Sequence, residues 1–461
     1  MDLQRADDAA VSLVDDDDDL GQTALREYAF ACAYDGARWR GVTLFRSPDY
    51  AAWSQVGVAT VPVSWGMVDT APAAPVTPWT WDDSASLVVS MLDGDVDSAT
   101  ALEVLNGANM AALVGLDGGA EIIQWRDAAL GSDGRYTLTG LLRGRRGTED
   151  QIAARSAGDV FILLDANRVQ FAAPATEASA TRILRAVGLY DTVETAAVTV
   201  VKAARGRAEQ PYAVCQVAGS RDGSSNLTIT WTRRTRVGGE WLDGTGTVPL
   251  SEASEAYEVD VLNGPPAVAK TYAADAGTAA NAFDGNAATD WIVNSGTLPK
   301  TLSVTFAAAQ VVSGYGVRAR SASASTDSPK DWTLEGWDGA AWVVLDTRAS
   351  ITGWTNGLLR TYSLAAAATY ALYRLRVTAG NGGGNCGIAG LELYRGTGGA
   401  DIAASGYAQV VVRTIAVASA SATYSAALQV TDFGAAQPEL FLRLHQLSNI
   451  VGRGIAAEAT L

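Results

Sequence analysis

The sequence predicts a mainly β protein: a β-rich domain followed by a fibronectin- or immunoglobulin-like sandwich that is itself interrupted by another β module. Short apolar runs along most of the chain alternate with the period of two that suits strands. The 47 glycines and 13 prolines break those runs at close intervals, as turns require. Two groups of sandwich-type strands are also separated by a long stretch with a strand pattern of its own.

At 461 residues the chain exceeds what one hydrophobic core usually organises, so several domains are expected. With 48% hydrophobic and 18% charged residues it belongs with ordered globular chains. A net charge of -16 sets its average field against a phosphate backbone, so no nucleic-acid partner is expected. Cys32, Cys215 and Cys386 form no CxxC pair and are expected to be lone buried thiols. No run approaches the roughly 20 apolar residues that span a bilayer, so no membrane insertion is expected, and the acidic start carries no export signal.

Residues 1–28 are expected to be an acidic leader, in which Asp15 to Asp19 repel one another and stay solvated. From residue 29 to 170 a β-rich domain is predicted: Gly41–Phe45, Ser86–Leu92, Ala111–Gly115, Ala120–Trp125 and Val160–Leu164 are strands, and Asp117-Gly-Gly is a hairpin turn. Within it, residues 134–148 form a strand from Tyr136 to Leu142 that opens into a basic turn. There Arg143, Arg145 and Arg146 are expected to pair with carboxylates across an interface. The small-residue stretch 171–209 is expected to connect modules.

Strands at Pro211–Val214, Asn226–Trp231 and Ala256–Leu262 begin a sandwich that three strands cannot close. The missing ones follow at Tyr407–Arg413, Thr423–Val430 and Leu440–Leu447. The sandwich is therefore split, 210–264 and 405–461, around an insert at 265–404 bounded by Pro265-Pro266 and Gly396-Thr-Gly-Gly399. Loop closure becomes costlier only slowly with length, so such an insertion is tolerated.

The segments LLRGRRGTE (141–149), WTRRTR (231–236) with Val248-Pro-Leu250, and Thr431-Asp-Phe-Gly434 with residues 445–452 resemble the C-terminal part of the large host-specificity, or baseplate hub, protein of gene transfer agents and related siphophage tails. The long N-terminal region of those hub proteins has no counterpart here. The insert resembles a discoidin, or coagulation-factor C-type, jelly roll of the kind common in carbohydrate-binding modules. The resemblance is carried by Ala282–Trp291 (AFDGNAATDW), Thr301–Phe306, Pro329–Gly339, Tyr373–Val377 and Gly387–Tyr394, in the family's order.

The discoidin resemblance implies a structural calcium ion held by Asp284, Thr289 and Glu392, with carbonyls near Asn281, Asn286 and Ala389. Calcium accepts such mixed oxygens, whereas Asp284-Gly-Asn286 is equally the composition of a plain tight turn. A sugar site would lie on the loops at one end of the jelly roll, with Arg320, Asp327, Lys330, Trp354, Asn381 and Asn385 as candidates. Trp354 and Asn385 lead because 351–357 and 379–385 have the composition of exposed loops. Trp291, Trp332 and Trp342 follow strand spacing and are expected in the core.

Catalysis has little support. The single histidine, His445, sits in an alternating strand with no acid or nucleophile motif beside it. Asp82-Asp83 shows only that carboxylate pairs can always be found, and GxSxG, HExxH and P-loop motifs are absent. The expectation is a non-enzymatic component of a phage-like tail tip in the virion, assembled in the host cytoplasm. It would work beside other baseplate proteins as a homotrimer by analogy and present the jelly roll to host cell-surface glycans. The alternatives are a tail-associated polysaccharide-degrading enzyme and a structural hub with a ligand-free insert.

Overall fold

Most of the period-two alternation becomes strand in the computed structural model. It describes residues 10–14, 25–33, 39–75, 77–78, 80–116, 118–164, 167, 169–174, 180–196, 198–203, 210–235, 248–396, 399–449 and 451–461. The chain divides into two units. One comprises Met1–Gln216, Thr232–Tyr257 and His445–Ala457, and the other Val217–Trp231, Glu258–Leu444 and Glu458–Leu461.

In the first unit, β1 (Ala10–Val14), β2 (Leu25–Ala33) and β11 (Val169–Pro174) form an antiparallel sheet, with Ala10 opposite Ala33. Part of the expected leader is thus a paired strand, while Asp15 to Asp19 lie outside the described residues. A second sheet runs β13 (Val198–Ala203), β12 (Thr181–Gly188), β3 (Val42–Ser47), β4 (Ser54–Ala59). The supposed connecting segment 171–209 therefore contributes strands. Thr181–Gly188 buries Ile183, Leu184, Ala186 and Val187, on both faces of the strand, a pattern masked in the sequence by its arginines and small residues.

The strands β10 (Val160–Leu163), β5 (Trp65–Thr70), β6 (Leu87–Asp93), β9 (Tyr136–Arg145), β8 (Ala120–Leu130) and β7 (Met110–Val114) close into a barrel in that order. The β7–β8 turn carries Gly118 at φ +74°, where a Cβ would be strained; Asp117 lies outside the described residues. The helix α1 (Ala101–Leu105) is started by a capping box of Thr100 and Glu103. One core cluster gathers Leu87, Val89, Leu113, Ile123, Leu138 and Phe161 around Trp125.

The basic turn after β9 faces inward. The Arg143 guanidinium donates Nε to Glu121 Oε1 at 2.6 Å and Nη2 to Glu121 Oε2 at 2.8 Å. Its Nη1 donates to the carbonyls of Pro72 and Ala73 at 3.3 and 3.1 Å, and both side chains of the pair are fully buried. The partner expected across an interface is thus inside the same barrel. Arg145 Nε donates to Gln124 Oε1 at 2.7 Å, and Arg234 bonds Glu149.

In the second unit, β14 (Cys215–Arg221), β15 (Leu227–Thr232) and β25 (Ser421–Tyr424) form one sheet, with Leu227 opposite Tyr424. Beside it β24 (Val411–Val417), β16 (Tyr257–Leu262) and β26 (Phe441–Ser448) lie in sequence-distant order, with β28 (Ala457–Thr460) on β26. In the first unit β27 (Gly452–Arg453) pairs with Leu447 and Ser448. Pro211–Val214 is not a strand, and Thr423–Val430 is only half of one. Ser425 follows β25 and caps the helix α2 (Ala426–Phe433) by accepting from Leu428 N at 3.3 Å, and Gly434 closes that helix at φ +80°.

The insert is a jelly roll made by two strands that change sheets. The beginning of β19 (Lys300–Ala319) pairs with β17 (Lys270–Ala274) and with the end of β22 (Leu359–Gly380), which also pairs with β20 (Pro329–Trp337); β20 in turn pairs with β21 (Trp342–Arg348). After irregularities between Thr305 and Gln310, and again between Val312 and Gly314, β19 pairs with the start of β22 and with β23 (Asn385–Tyr394), which is flanked by β18 (Trp291–Asn294). Trp291, Trp332, Tyr315, Tyr373 and Phe283 fill the core between the two sheets.

Trp342 does not join that core. The register slips between Leu334 and Glu335, and Trp342 lies half-buried on the outer face opposite Trp337.

Candidate functional site

Four loops at one end of the jelly roll are tied to one another by backbone groups, each needing a partner once withdrawn from water. Ser295 Oγ donates to the Gly383 carbonyl at 2.6 Å, and Gly383 N to the Thr326 carbonyl at 3.0 Å. Gly357 N donates to the Arg320 carbonyl at 3.0 Å, and Ala324 N to Asn356 Oδ1 at 3.1 Å. Loops 295–299, 320–328, 349–358 and 380–385 therefore behave as one frame.

Of the six candidates for sugar contact all but Lys330 lie in these loops, and four of them are engaged within the frame. Arg320 is buried, with Nε 3.4 Å from Asp290 Oδ2 and Nη1 bonded to Asp327, itself buried. Asp290 also accepts from Ser321 N at 2.9 Å and Ser321 Oγ at 2.8 Å. A Cβ on Gly383 would fall 1.9 Å from Asp327 Oδ1, so only glycine lets the loop approach this carboxylate. Asn381 Nδ2 lies within 3.0 to 3.2 Å of the carbonyls of Ser328, Pro329 and Ile351, joining three segments through one amide.

Trp354 corrects the strongest expectation. Its indole is 2% exposed, its Nε1 donates to the Pro329 carbonyl at 2.8 Å, and its ring lies 6.2 Å from that of Trp332. The Arg360 guanidinium lies 4.4 Å from the ring centroid. The flanking glycines allow the loop to fold back on itself, and the side chain becomes core instead of a sugar platform.

Asn385 and Lys330 remain available to a ligand. Asn385 is exposed at the start of β23, opposite the exposed Asn294 of β18, and its amide has no hydrogen bond among the described residues. Lys330 is half-buried beside Pro329, the register partner of Gly380, and has no carboxylate partner among the described residues. Asn294 was missed because it lies outside the glycine-rich segments.

The calcium set converges only in part. Thr289 Oγ1 lies 2.7 Å from Asp284 Oδ2 and 2.9 Å from the Asn286 carbonyl, and Asp284 Oδ1 accepts from Asn286 N at 2.8 Å. Asn281 Nδ2 donates to the Asp290 carbonyl at 2.9 Å, and Ala389 is buried. Glu392 does not fit. Its Oε1 accepts from Arg318 Nη2 at 2.7 Å and its other oxygen from the Tyr394 hydroxyl, so a guanidinium already supplies the positive charge. Among the described residues no group of three or more His, Cys, Asp or Glu could hold a metal.

Two titratable groups are displaced. Burial pushes the Cys386 thiol up to about 12, which leaves it unreactive at neutral pH. Asp401 is pushed up to about 7, chiefly by burial, against the hydrogen bonds it accepts from Leu393 N and Ala403 N, with Glu392 raising it and Lys270 lowering it. His445 Nδ1 lies 3.0 Å from the Gly454 carbonyl, buried in its strand.

Residues 64–162, which take in the barrel strands up to Ile162, match the family described as Rcc01698-like, C-terminal. No curated protein matches the chain. Among solved structures it is similar to the family 32 carbohydrate-binding module of NanJ from C. perfringens, in complex with galactose: 23% identity, 27% of this chain and 93% of that one, TM-score 0.24. It is also similar to chitosan-binding module 1 of a chitosanase/glucanase from Paenibacillus sp. IK-5: 21% identity, 28% and 96%, TM-score 0.23. For the family 32 module of EndoD from Streptococcus pneumoniae the figures are 14%, 28% and 97%, and 0.24.

Proposed function

We propose that this chain is a structural and receptor-binding component of a phage-like tail tip that offers the loop end of its jelly roll to host cell-surface glycans. The observation that carries the reading is the neck of the insert. Asn263 N donates to the Val410 carbonyl at 3.0 Å, and Val410 N to Asn263 Oδ1 at 2.9 Å. The Tyr407 hydroxyl donates to the Pro265 carbonyl at 2.6 Å, and Gln409 Nε2 to the Gly264 carbonyl at 2.9 Å. A module held by such a cross-tied neck is presented in one orientation, which lowers the ordering cost of engaging a partner.

At the loop end, Asn385 and Lys330 supply hydrogen-bond donors and an acceptor on a framed surface, a chemistry suited to sugar hydroxyls. The tail assignment is supported by the resemblance of residues 141–149 and 231–236 to hub proteins of gene transfer agents. Other baseplate proteins, a homotrimeric state and a place in the virion belong to the same proposal. Calcium belongs to it as an ion of the 281–289 loop, held by Asp284, Thr289 and the Asn286 carbonyl without Glu392.

The test is binding of the full chain to host cells and to a glycan array, beside an Asn385→Ala, Lys330→Ala double variant. Saturable binding to neutral glycans that the double variant loses is expected. A folded protein that binds no cells or glycans would leave a structural hub, and release of reducing ends from host polysaccharide would make it an enzyme.

A further inference from the structure

A second surface of the jelly roll, away from the loop end, carries more recognition chemistry than a solvated sheet face requires. On the sheet containing β20, β21 and the end of β22, alternate residues point inward: Trp332, Leu334, Leu375 and Val377 belong to the core. Their neighbours Thr333, Glu335, Trp337, Arg374 and Arg376 share the outer face with Trp342 and the 55%-exposed Val344.

The two tryptophans face each other across the strands, with ring centroids 5.3 Å apart and planes at 60°. The Arg374 guanidinium lies 3.8 Å from the Trp342 centroid. Its Nε donates to Glu335 Oε2 at 2.6 Å, and the other Glu335 oxygen accepts from Thr333 Oγ1 at 2.6 Å. Glu335 is thereby fully used in fixing Arg374, whose two Nη groups make no hydrogen bond with the described residues. Two positions along the strand, between Thr333 and Thr301, Arg376 has neither a hydrogen bond nor an ion pair among the described residues.

The patch of Trp337, Trp342, Arg374 and Arg376 therefore sets two guanidinium groups against the one carboxylate of Glu335, in a chain whose net charge is -16, while Asp275 and Asp331 beside it accept from Thr301 N at 2.9 Å and Ser350 N at 2.6 Å. A guanidinium fork matches a carboxylate in two parallel hydrogen bonds, and partly exposed indoles offer flat apolar surface to a sugar ring. A dense polyanion would be repelled by the chain as a whole, whereas a saccharide carrying one carboxylate per residue suits a local excess of one positive charge.

We infer that the outer face formed by Trp337, Trp342, Arg374 and Arg376 is a binding site for acidic glycans, which pack a ring on the tryptophans and place a carboxylate on Arg376 and the free edge of Arg374. The site does not depend on the loop end or on the tail assignment.

The experiment is a titration of the full chain, followed by tryptophan fluorescence and calorimetry, with hexamers of galacturonate, mannuronate and sialate, each beside its carboxyl-reduced counterpart. At least one acidic hexamer is expected to bind and its reduced form not to. Arg376→Gln, an outer-face change that leaves the core intact, is expected to weaken binding about tenfold. Arg376→Lys is expected to recover only part of the loss, because a point charge cannot make the fork. Trp337→Ala should weaken binding by a similar factor, and the Asn385→Ala, Lys330→Ala double variant should leave it unchanged. The inference is overturned if none of the acidic hexamers binds, if reduced hexamers or dextran sulfate bind equally well, or if Arg376→Gln has no effect. Loss only in the loop-end double variant would place acidic-glycan binding there instead.

Discussion

Arg143→Leu should be among the most damaging substitutions in the first unit, although the sequence reading expects Arg143 to pair with a carboxylate across an interface rather than inside the barrel. In the barrel it would leave the Glu121 carboxylate without its two guanidinium hydrogen bonds at 2.6 and 2.8 Å, in a position with no exposed side-chain area. The Pro72 and Ala73 carbonyls would lose their donor as well. Breaking one partner of a buried pair costs about 3–5 kcal/mol. With a urea slope of about 3 kcal/mol/M, the midpoint should fall by roughly 1–1.7 M. The transition can be followed by the fluorescence of Trp65 and Trp125, both buried in barrel strands. Replacing both partners, Arg143→Met with Glu121→Leu, removes the stranded charge and should recover most of the loss. A single variant within 1 kcal/mol of wild type, or a double variant as unstable as the single, would refute the reasoning.

The Asp401 carboxyl is raised in the folded state from 3.8 to about 7. A raised folded value means that the stabilisation is complete below the unfolded value near 4 and is lost as pH rises through 7. The melting temperature of the second unit should therefore fall between pH 4 and 7, by an amount worth at most about 4 kcal/mol, since the group is only partly shielded, and Asp401→Asn should flatten the dependence. Trp354→Ala should cost about 3–5 kcal/mol through loss of a buried indole, so any loss of glycan binding should accompany a lowered melting temperature; loss of binding at unchanged stability would restore Trp354 to the sugar site. Calcium at a hundredfold excess over its Kd should stabilise the wild type by about 2.7 kcal/mol, and should do the same for Glu392→Gln but not for Asp284→Ala. A Glu392→Gln variant that no longer responds would return Glu392 to the ligand set.

Strand positions were legible wherever alternation was long and one face was apolar. Trp291 and Trp332 were placed in the core on that ground, and they are 0% and 1% exposed. Trp342 was misplaced because a register slip at Leu334 and Glu335 reverses the faces, and a slip of one residue has no signature in composition. The helix at Ala426–Phe433 was hidden by apolar residues compatible with either period, although Ser425 and Gly434 mark its ends. Burial of Trp354 and Arg143 was illegible for a common reason. Each sits beside glycines that suggest an exposed turn, and each is drawn inward by partners distant in sequence, Pro329 for one and Glu121 for the other. Local patterns report backbone freedom, whereas the partner that uses it is set by the fold.

The framework that positions the loop end also bears on what it can do. Glycoside hydrolysis by the common two-carboxylate route needs one carboxyl that donates a proton and another that acts as base or nucleophile, both facing the substrate. Here Asp290 and Asp327 are both held by Arg320, and Asp331 accepts from Ser350 N at 2.6 Å. The hydrogen bonds that these carboxylates accept join the loops to one another. Asn385 and Lys330 make no side-chain hydrogen bond among the described residues, and an amide and an ammonium there offer hydrogen bonds to sugar hydroxyls. At this end of the jelly roll those three carboxylates are used to lock the loops, which leaves the Asn385 amide and the Lys330 ammonium as polar groups that a ligand would meet there.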